Sequence, residues 1–461
     1  MRTEKDSMGS MVVPDDAYYG AQTQRAVENF PISGIYMPPA VIRALGIIKR
    51  SAAVVNADLK QLDDERKSVI IKAAEEVIDG NFDNQFLIDI FQTGSGTSSN
   101  MNTNEIIANR ASELMGGTIG SREPVHPNDH VNMGQSSNDV IPTAIHIAAK
   151  IEIENELIPA LEMLHRGLDE KAKAWDHIVK IGRTHLQDAT PIRLGQEFSG
   201  YAAMIRSGIK RLELAKDQLE GLAQGGTAVG TGINTHVEFG ARIAKEVSSY
   251  TGVVFSEAVN HYEAQATQDA AVLVSGVLKT VAVSFFKIAN DIRWLGSGPR
   301  AGLGELILPP VQPGSSIMPG KVNPVICESL IQISAQVVGN DAAITLGGLG
   351  GVFELNLMLP LIAHNLLQSI EIMSNGAKMF NEKLLTGLEV DTQKCADYIE
   401  GSLAMCTSLA PVIGYDNAAA IAHDAYESGK TVRQIALEKK VLDEAQLNEL
   451  LDPLSMTNPN K

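Results

Sequence analysis

Leu194, Phe198, Tyr201, Ile205, Ile209 and Leu212 recur at steps of four, three, four, four and three. That is the period of one helix face, held for about five turns. A stripe this long needs other long helices to cover it, which points to a bundle. The pattern returns elsewhere. Leu157, Leu161, Leu164 and Leu168 keep a 4-3-4 spacing, and Ile107, Ala111 and Leu114 share a face between Ser98 and Gly116. A further segment runs from about Ala264 to Leu295 before Gly296-Ser297-Gly298-Pro299 stops it, and another follows Pro324. Thr190-Pro191 reads as an N-cap followed by proline at the first helical position. Strand-like pieces are few and short: Val253-Val254-Phe255, and Glu305 to Leu308.

Composition supports a helical reading. Aromatics are only 5% while hydrophobic residues reach 44%, so small aliphatic side chains do most of the packing. Alanine and glycine along the apolar faces let helices approach closely. The expected class is mainly α, with a central long-helix bundle over residues 136–390. A mixed, mainly helical domain over 1–135 precedes it, and a small, more charged helical domain over 391–461 follows. Long helices of this kind often bury faces against other subunits, so a homo-oligomer is expected.

The formal net charge of −17 argues against nucleic acid and anionic membrane surfaces as partners. It also means that an anionic substrate needs local donors and cations to overcome the general field. Charges interrupt the apolar runs before the roughly 20 residues of a membrane span. The N-terminal residues carry no apolar or Arg-rich targeting pattern. Cys327, Cys395 and Cys406 are odd in number and widely spaced, which fits a reducing compartment. A cytoplasmic location is expected.

Five segments concentrate polar groups beyond what turns need. The richest is Gly314-Ser315-Ser316-Ile317-Met318-Pro319-Gly320-Lys321-Val322-Asn323-Pro324. It sets two hydroxyls, an ammonium and an amide in one short loop with glycine freedom and proline stiffening. It suits either a helix connection or a loop that closes over a small anion. Thr93-Gly94-Ser95-Gly96-Thr97-Ser98-Ser99-Asn100 precedes a helix; it reads as an anion site or as simple capping by Ser98 or Ser99. Gln135-Ser136-Ser137-Asn138-Asp139 is a helix start with more donors than a cap requires.

His126-Pro127-Asn128-Asp129-His130 hints at a metal site, but the proline interrupts helical ligand spacing, and an anion-binding turn fits better. Gly182-Arg183-Thr184-His185-Leu186-Gln187-Asp188 sets a histidine between polar neighbours. The glycine-rich turn Gly225-Gly226-Thr227-Ala228-Val229-Gly230-Thr231-Gly232 lacks a P-loop ending and reads first as close backbone packing. Neutral donors, one lysine and histidines, without a metal or nucleotide motif, suit a small carboxylate substrate and acid–base chemistry that needs no cofactor.

The Gly314–Pro324 segment resembles the signature of the fumarase/aspartase superfamily. The other segments, with Ile-Ala-Asn-Asp-Ile-Arg-Trp-Leu from 288, are similar to class II fumarases, and the likeness runs from Glu4-Lys5-Asp6-Ser7-Met8-Gly9 into the C-terminal domain. The resemblance implies a three-domain, mainly helical subunit, a homotetramer with active sites shared between subunits, and the reversible hydration of fumarate to L-malate in the tricarboxylic acid cycle. The alternative within the superfamily is an aspartate ammonia-lyase. No metal or other cofactor is implied.

By family position, Ser315 would take the carbon proton, His185 would handle the proton of the water or hydroxyl, and Glu328 would be its charge partner. Ser95, Gly96, Thr97, Ser136, Ser137, Asn138, Thr184, Ser316, Lys321, Val322 and Asn323 would bind substrate. His126, Pro127, Asn128 and Asp129 match a second, non-catalytic anion site. Some positions depart from the pattern. His130 stands where many fumarases carry aspartate and aspartases have histidine, Met133-Gly134 replaces a more usual basic pair partner, and Val325-Ile326 is closer to aspartases. Gly320 and Cys327-Glu328 follow the fumarases.

Overall fold

The computed structural model describes residues 1–459. Helices dominate it, and every sheet among the described residues has only two strands. The chain divides into two units: residues 1–159, 209–282 and 334–374 form one, and residues 160–208, 283–333 and 375–461 the other.

In the first unit, an antiparallel hairpin of Arg2–Asp6 and Gly9–Val13 leads into a group of helices. Helix Pro39–Asp58 is its centre and packs against Asp64–Ile78, Ser137–Glu152 and Phe239–Thr251. Its sequence explains the position. Proline opens the first turn, where no amide donor is needed, and Val41, Leu45, Ile48, Ala52 and Val55 are buried along one face. Asp63 caps the next helix by accepting from Arg66 N at 2.9 Å.

The second unit holds the antiparallel hairpin Val179–Thr184 and Gln187–Arg193. It also holds the C-terminal helices Thr392–Gly401, Tyr415–Ser428, Val432–Glu438 and Glu444–Leu450, which have their own core around Leu409, Ile421, Ala436 and Leu447. Four long helices, Leu194–Lys216, Asp269–Leu295, Val325–Gly348 and Leu359–Lys383, contribute residues to both units. Among the described residues Asp269–Leu295 alone is long and apolar enough to cross a membrane by length and composition. One row of it, Val274, Leu278, Val281, Phe285, Ile288 and Ile292, is nevertheless buried in the protein.

Three sequence expectations need correction. Thr190-Pro191 does not open a helix: both residues lie in a strand, and the helix begins at Leu194. Val179, Ile181, Thr190 and Ile192 are β-branched, and their preference for a pleated surface prevails. Pro191 is tolerated in a two-stranded ribbon that has no central strand. Gly182 sits where the register shifts, and a Cβ there would lie 2.7 Å from Thr190 O.

The expected Val253–Phe255 strand is not formed; the ladder is Ser256–Glu257, parallel to Gly221–Leu222. Phe255 N donates instead to Ser248 Oγ at 2.8 Å. The segment from Ala264 to Leu295 is two helices, His261–Ala266 and Asp269–Leu295, because Thr267 is extended between them. The Glu305–Leu308 expectation is met at Leu306–Ile307, which pairs with Glu389–Val390.

Candidate active site

The candidate residues fall into two groups, one in each unit. In the first unit, the helix Thr97–Leu114 is capped by Gly96 at φ 71°, not by Ser98 or Ser99. A Cβ on Gly96 would lie 2.9 Å from the Ile141 side chain, so both backbone angle and space favour glycine. Ser99 is occupied elsewhere: its N and Oγ both donate to Gln92 Oε1 at 3.0 Å. Ser98 Oγ and Thr93 Oγ1 share a 3.1 Å hydrogen bond. Ser95 Oγ and Thr97 Oγ1 share a 2.9 Å hydrogen bond.

The segment from Gln135 forms a capping box. Asn138 N donates to Ser136 Oγ at 3.3 Å, and Ser136 N donates to Asp139 Oδ1 at 2.9 Å. The surplus donors are also tied down. Asn138 Nδ2 donates to Ala228 O at 2.7 Å, and Asn100 Nδ2 to Ser137 Oγ at 3.1 Å. Asp139 Oδ2 accepts from Gly225 N and Thr227 N at 3.1 and 2.9 Å, which locks the glycine-rich turn to this helix start. Burial pushes the Asp139 carboxyl up to about 6.

Thr97, Ser136, Ser137 and Asn128 line one cavity of about 410 Å³, together with Asn132, Gln135, Thr227 and Asn234. Asn128 belongs to the His126–Asp129 segment, which wraps into a single π-type turn, Pro127–Val131. Both histidines serve that turn through Nδ1: His126 Nδ1 accepts from Asn128 N and Asp129 N at 3.2 Å, and His130 Nδ1 accepts from His126 N at 2.8 Å. Burial lowers the His130 pKa, so its neutral form, with a proton on Nε2, is favoured. The His130 ring therefore has an Nε2–H left to donate.

In the second unit, Thr184 and Gln187 pair, leaving His185 and Leu186 as a two-residue hairpin tip at φ 58° and 59°. Two consecutive positive φ angles are those of a type I′ turn, usually made by Asn and Gly. A histidine and a leucine there are strained, and the strain sits at an exposed imidazole. The Gly314–Pro324 loop closes on itself. Gly314 N donates to Lys321 O at 2.8 Å, and Asn323 Nδ2 to Gly314 O at 2.5 Å. Inside it, Ile317 N and Met318 N donate to Ser315 Oγ at 3.2 and 3.0 Å.

Ser316 and Lys321 are exposed. Lys321, Val322 and Asn323 border a cavity of about 770 Å³ that also touches Arg293, Trp294 and Asp391. Glu328 lies in the first turn of the helix Val325–Gly348, and no hydrogen bond joins it to His185 among the described residues. Burial pushes the Cys327 and Cys395 thiols up to about 12, so neither is a ready thiolate.

The sequence profile of the family described as Lyase matches residues 9–339, and that of the fumarase C C-terminus matches 405–458. The class II fumarate hydratase of Halobacterium salinarum is 56% identical over 457 residues, covering 99% of this chain and 97% of that protein. That of Mesorhizobium japonicum is 52% identical over 458 residues, covering 99% and 98%. The crystal structure of class II fumarase from Schistosoma mansoni superposes with a TM-score of 0.97 at 39% identity, covering 100% of both chains. The chain belongs to the class II fumarase family.

Two features of this fumarase-family chain escaped sequence reading. Lys49, on the helix Pro39–Asp58, is fully buried, and its Nζ donates to Asn132 Oδ1 and Gln135 Oε1 at 2.9 Å each. The available signal was a lysine within the apolar run Leu45, Ile47, Ile48, Ala52, Ala53. Glu305 is also fully buried and takes both Arg183 Nη atoms, at 2.8 and 3.0 Å, rooting the hairpin that carries His185. No local spacing relates residues 183 and 305, so only the fold could pair them.

Proposed function

We propose that this chain catalyses the reversible hydration of fumarate to L-malate, a step of the tricarboxylic acid cycle, through an aci-carboxylate carbanion. The observation that carries the mechanism is Ser315 Oγ under two backbone N–H donors. Donors fixed on that oxygen favour its alkoxide, the form able to take a proton from carbon. In the malate direction Ser315 removes the proton beside one carboxylate, and the electron pair of that C–H bond spreads over the carboxylate oxygens. Lys321 and Asn323 meet the growing charge. The pair then forms the double bond while the neighbouring hydroxyl leaves as water, with its proton supplied by His185; Glu328 balances the imidazolium charge. Hydration runs the same steps backwards.

Ser95, Gly96, Thr97, Ser136, Ser137, Asn138, Thr184, Ser316 and Val322 line the substrate in this reading. His126 to Asp129 act as a second anion station, and the presence of Asn128 in the cavity of Ser136 and Ser137 supports a short path between the two. The working form is a cytoplasmic homotetramer in which three subunits complete each site. Its support is the apolar surface that single helices leave uncovered, such as Leu273, Val283 and Phe286 on Asp269–Leu295. The division into three domains, at 135 and 390, is supported at its second boundary by the separate C-terminal core.

The test is direct. Purified protein given L-malate should raise the ultraviolet absorbance of the conjugated double bond, and L-aspartate should not. Release of ammonia from aspartate without turnover of malate would overturn the reading in favour of an ammonia-lyase.

A further inference from the structure

The cavity of Thr97, Ser136 and Ser137 has no charged side chain in its lining. Its donors are amides and hydroxyls, in a chain whose net charge is −17. On this wall itself a dianion would meet dipoles but no opposing charge; Lys321, on the Gly314–Pro324 loop, is the cation assigned to its other side. One layer behind the wall stands Lys49. It is 0% exposed, and no carboxylate lies within ion-pair distance of its Nζ among the described residues. Lysine is almost never fully buried without a paired charge.

Its two acceptors are neutral amides, Asn132 Oδ1 and Gln135 Oε1, and both residues line the cavity. Asn132 Oδ1 accepts in addition from Asn100 Nδ2 at 3.2 Å and Asn104 Nδ2 at 3.1 Å. Asn132 Nδ2 donates to Gln135 O at 3.1 Å, and Gln135 Nε2 donates to Val131 O at 3.1 Å and Met133 O at 3.2 Å. The ammonium thus anchors the acceptor ends of both amides and fixes the segment that ends in Ser136. Dipoles aligned on a buried cation in a low-dielectric interior polarise one another.

We propose that Lys49 is the recessed cation of the substrate site: through Asn132 and Gln135 it positions the Ser136–Asn138 donors and supplies the positive potential that selects dicarboxylates over monocarboxylates. This rests on the dicarboxylate reading above. The arrangement separates affinity from reactivity, since a cation behind the wall attracts the dianion without occupying space beside the reacting carbons. A buried ammonium with no carboxylate in ion-pair contact disfavours folding, because the attraction of the buried Asp139 offsets its desolvation only in part. Retention of that charge under the donor wall is what a binding role explains.

The test compares Lys49→Met, which removes the charge at similar length, with Lys49→Gln and Lys49→Arg. Melting curves and oligomer size establish folding. Binding is read by competitive inhibition with succinate, a saturated four-carbon dicarboxylate, and butyrate, its monocarboxylate counterpart. In folded Lys49→Met or Lys49→Gln, KM for fumarate and the succinate inhibition constant should rise about tenfold or more. The butyrate constant and kcat should stay within about threefold, and Lys49→Arg should recover most of the succinate affinity. Equal loss for both acids, or unchanged succinate binding, overturns the proposal. So does failure of both neutral variants to fold, because the charge would then serve the fold alone. If the unmodified protein binds succinate but does not hydrate fumarate, the reaction assignment falls while the Lys49 comparison still reads.

Discussion

Ser136 stands on a helix start wired into its surroundings, whereas Ser315 stands in a loop that holds itself. Around Ser136, bonds run outward to Asn100, Ala228 and, through Asp139, to Gly225 and Thr227, with Lys49 beneath. Around Ser315, the bonds described for the loop run from Gly314 to Lys321, Asn323 to Gly314, and Ile317 and Met318 to Ser315 itself. Ile317 is 84% exposed. The first arrangement cannot shift without breaking a buried network, so its donors are fixed before substrate arrives. The second can move as one piece and keep its own hydrogen bonds, as a closing segment must. The proposed mechanism thus puts binding geometry on the rigid element and the proton acceptor on the movable one.

The largest effect should come from the movable element. Ser315→Ala removes the proposed acceptor of the carbon proton, and kcat should fall about 10³-fold with KM changed by less than about threefold. Ser136→Ala should act mainly on KM. Initial rates in both directions check the pair, and a larger kcat loss in Ser136→Ala would reverse the division of labour between the two regions.

Next comes a region that combines both characters, the hairpin with a buried root and an exposed tip. Arg183→Met leaves the Glu305 carboxylate buried with its bidentate partner gone, and should cost about 3 kcal/mol in urea unfolding. Lys180 Nζ, 3.6 Å from Glu305, limits the loss. At the tip, His185→Asn should reduce kcat about 10²-fold with little change in unfolding. Asparagine tolerates the left-handed backbone that His185 adopts at φ 58°. Loss of stability at the tip and not at the root would mean that the Arg183–Glu305 pair does not hold this hairpin.

These regions also differ in how far the sequence revealed them. Helices were legible where period and length agreed, as from Leu194 to Leu212. The donor-rich helix start at Ser136 was legible because a capping box is local. The hairpin was misread at Thr190-Pro191, where a local helix-start signal lost to cross-strand pairing of Ile181 with Pro191. The Ser315 loop was visible by composition, but the two amides on its hydroxyl follow from backbone path and no residue type announces them. Asp139 was in view as part of a polar segment, yet its hold on residues 225 and 227 spans more than eighty positions. Lys49 and Glu305 carry no motif. Their meaning comes from burial, a property of the whole fold.

The smallest effect tests the cost of keeping a charge beneath the rigid element. Burial lowers the Lys49 pKa from 10.5 to about 7, while Asp139 raises it in part. Between about pH 7 and 10.5 the unfolded chain therefore holds a proton on this lysine that the substrate-free folded chain releases, while a bound dianion favours its retention, so the cation of the substrate site is the near-neutral and ligand-bound form. Stability from this group rises with pH across that window, by at most about 1.4 kcal/mol per pH unit. The buried Asp139 works in a separate, lower window, with a pKa raised from 3.8 to about 6, so its contribution falls as pH climbs toward 6. Urea unfolding at pH 7, 8 and 9 should show a slope in the unmodified protein that Lys49→Met flattens. The variant should also be no less stable at pH 7, since it trades a desolvated ammonium for an apolar side chain of similar length. Identical slopes in the two proteins would mean that Lys49 keeps its proton through pH 9 in the folded chain, so that burial does not strain the charge beneath the rigid region.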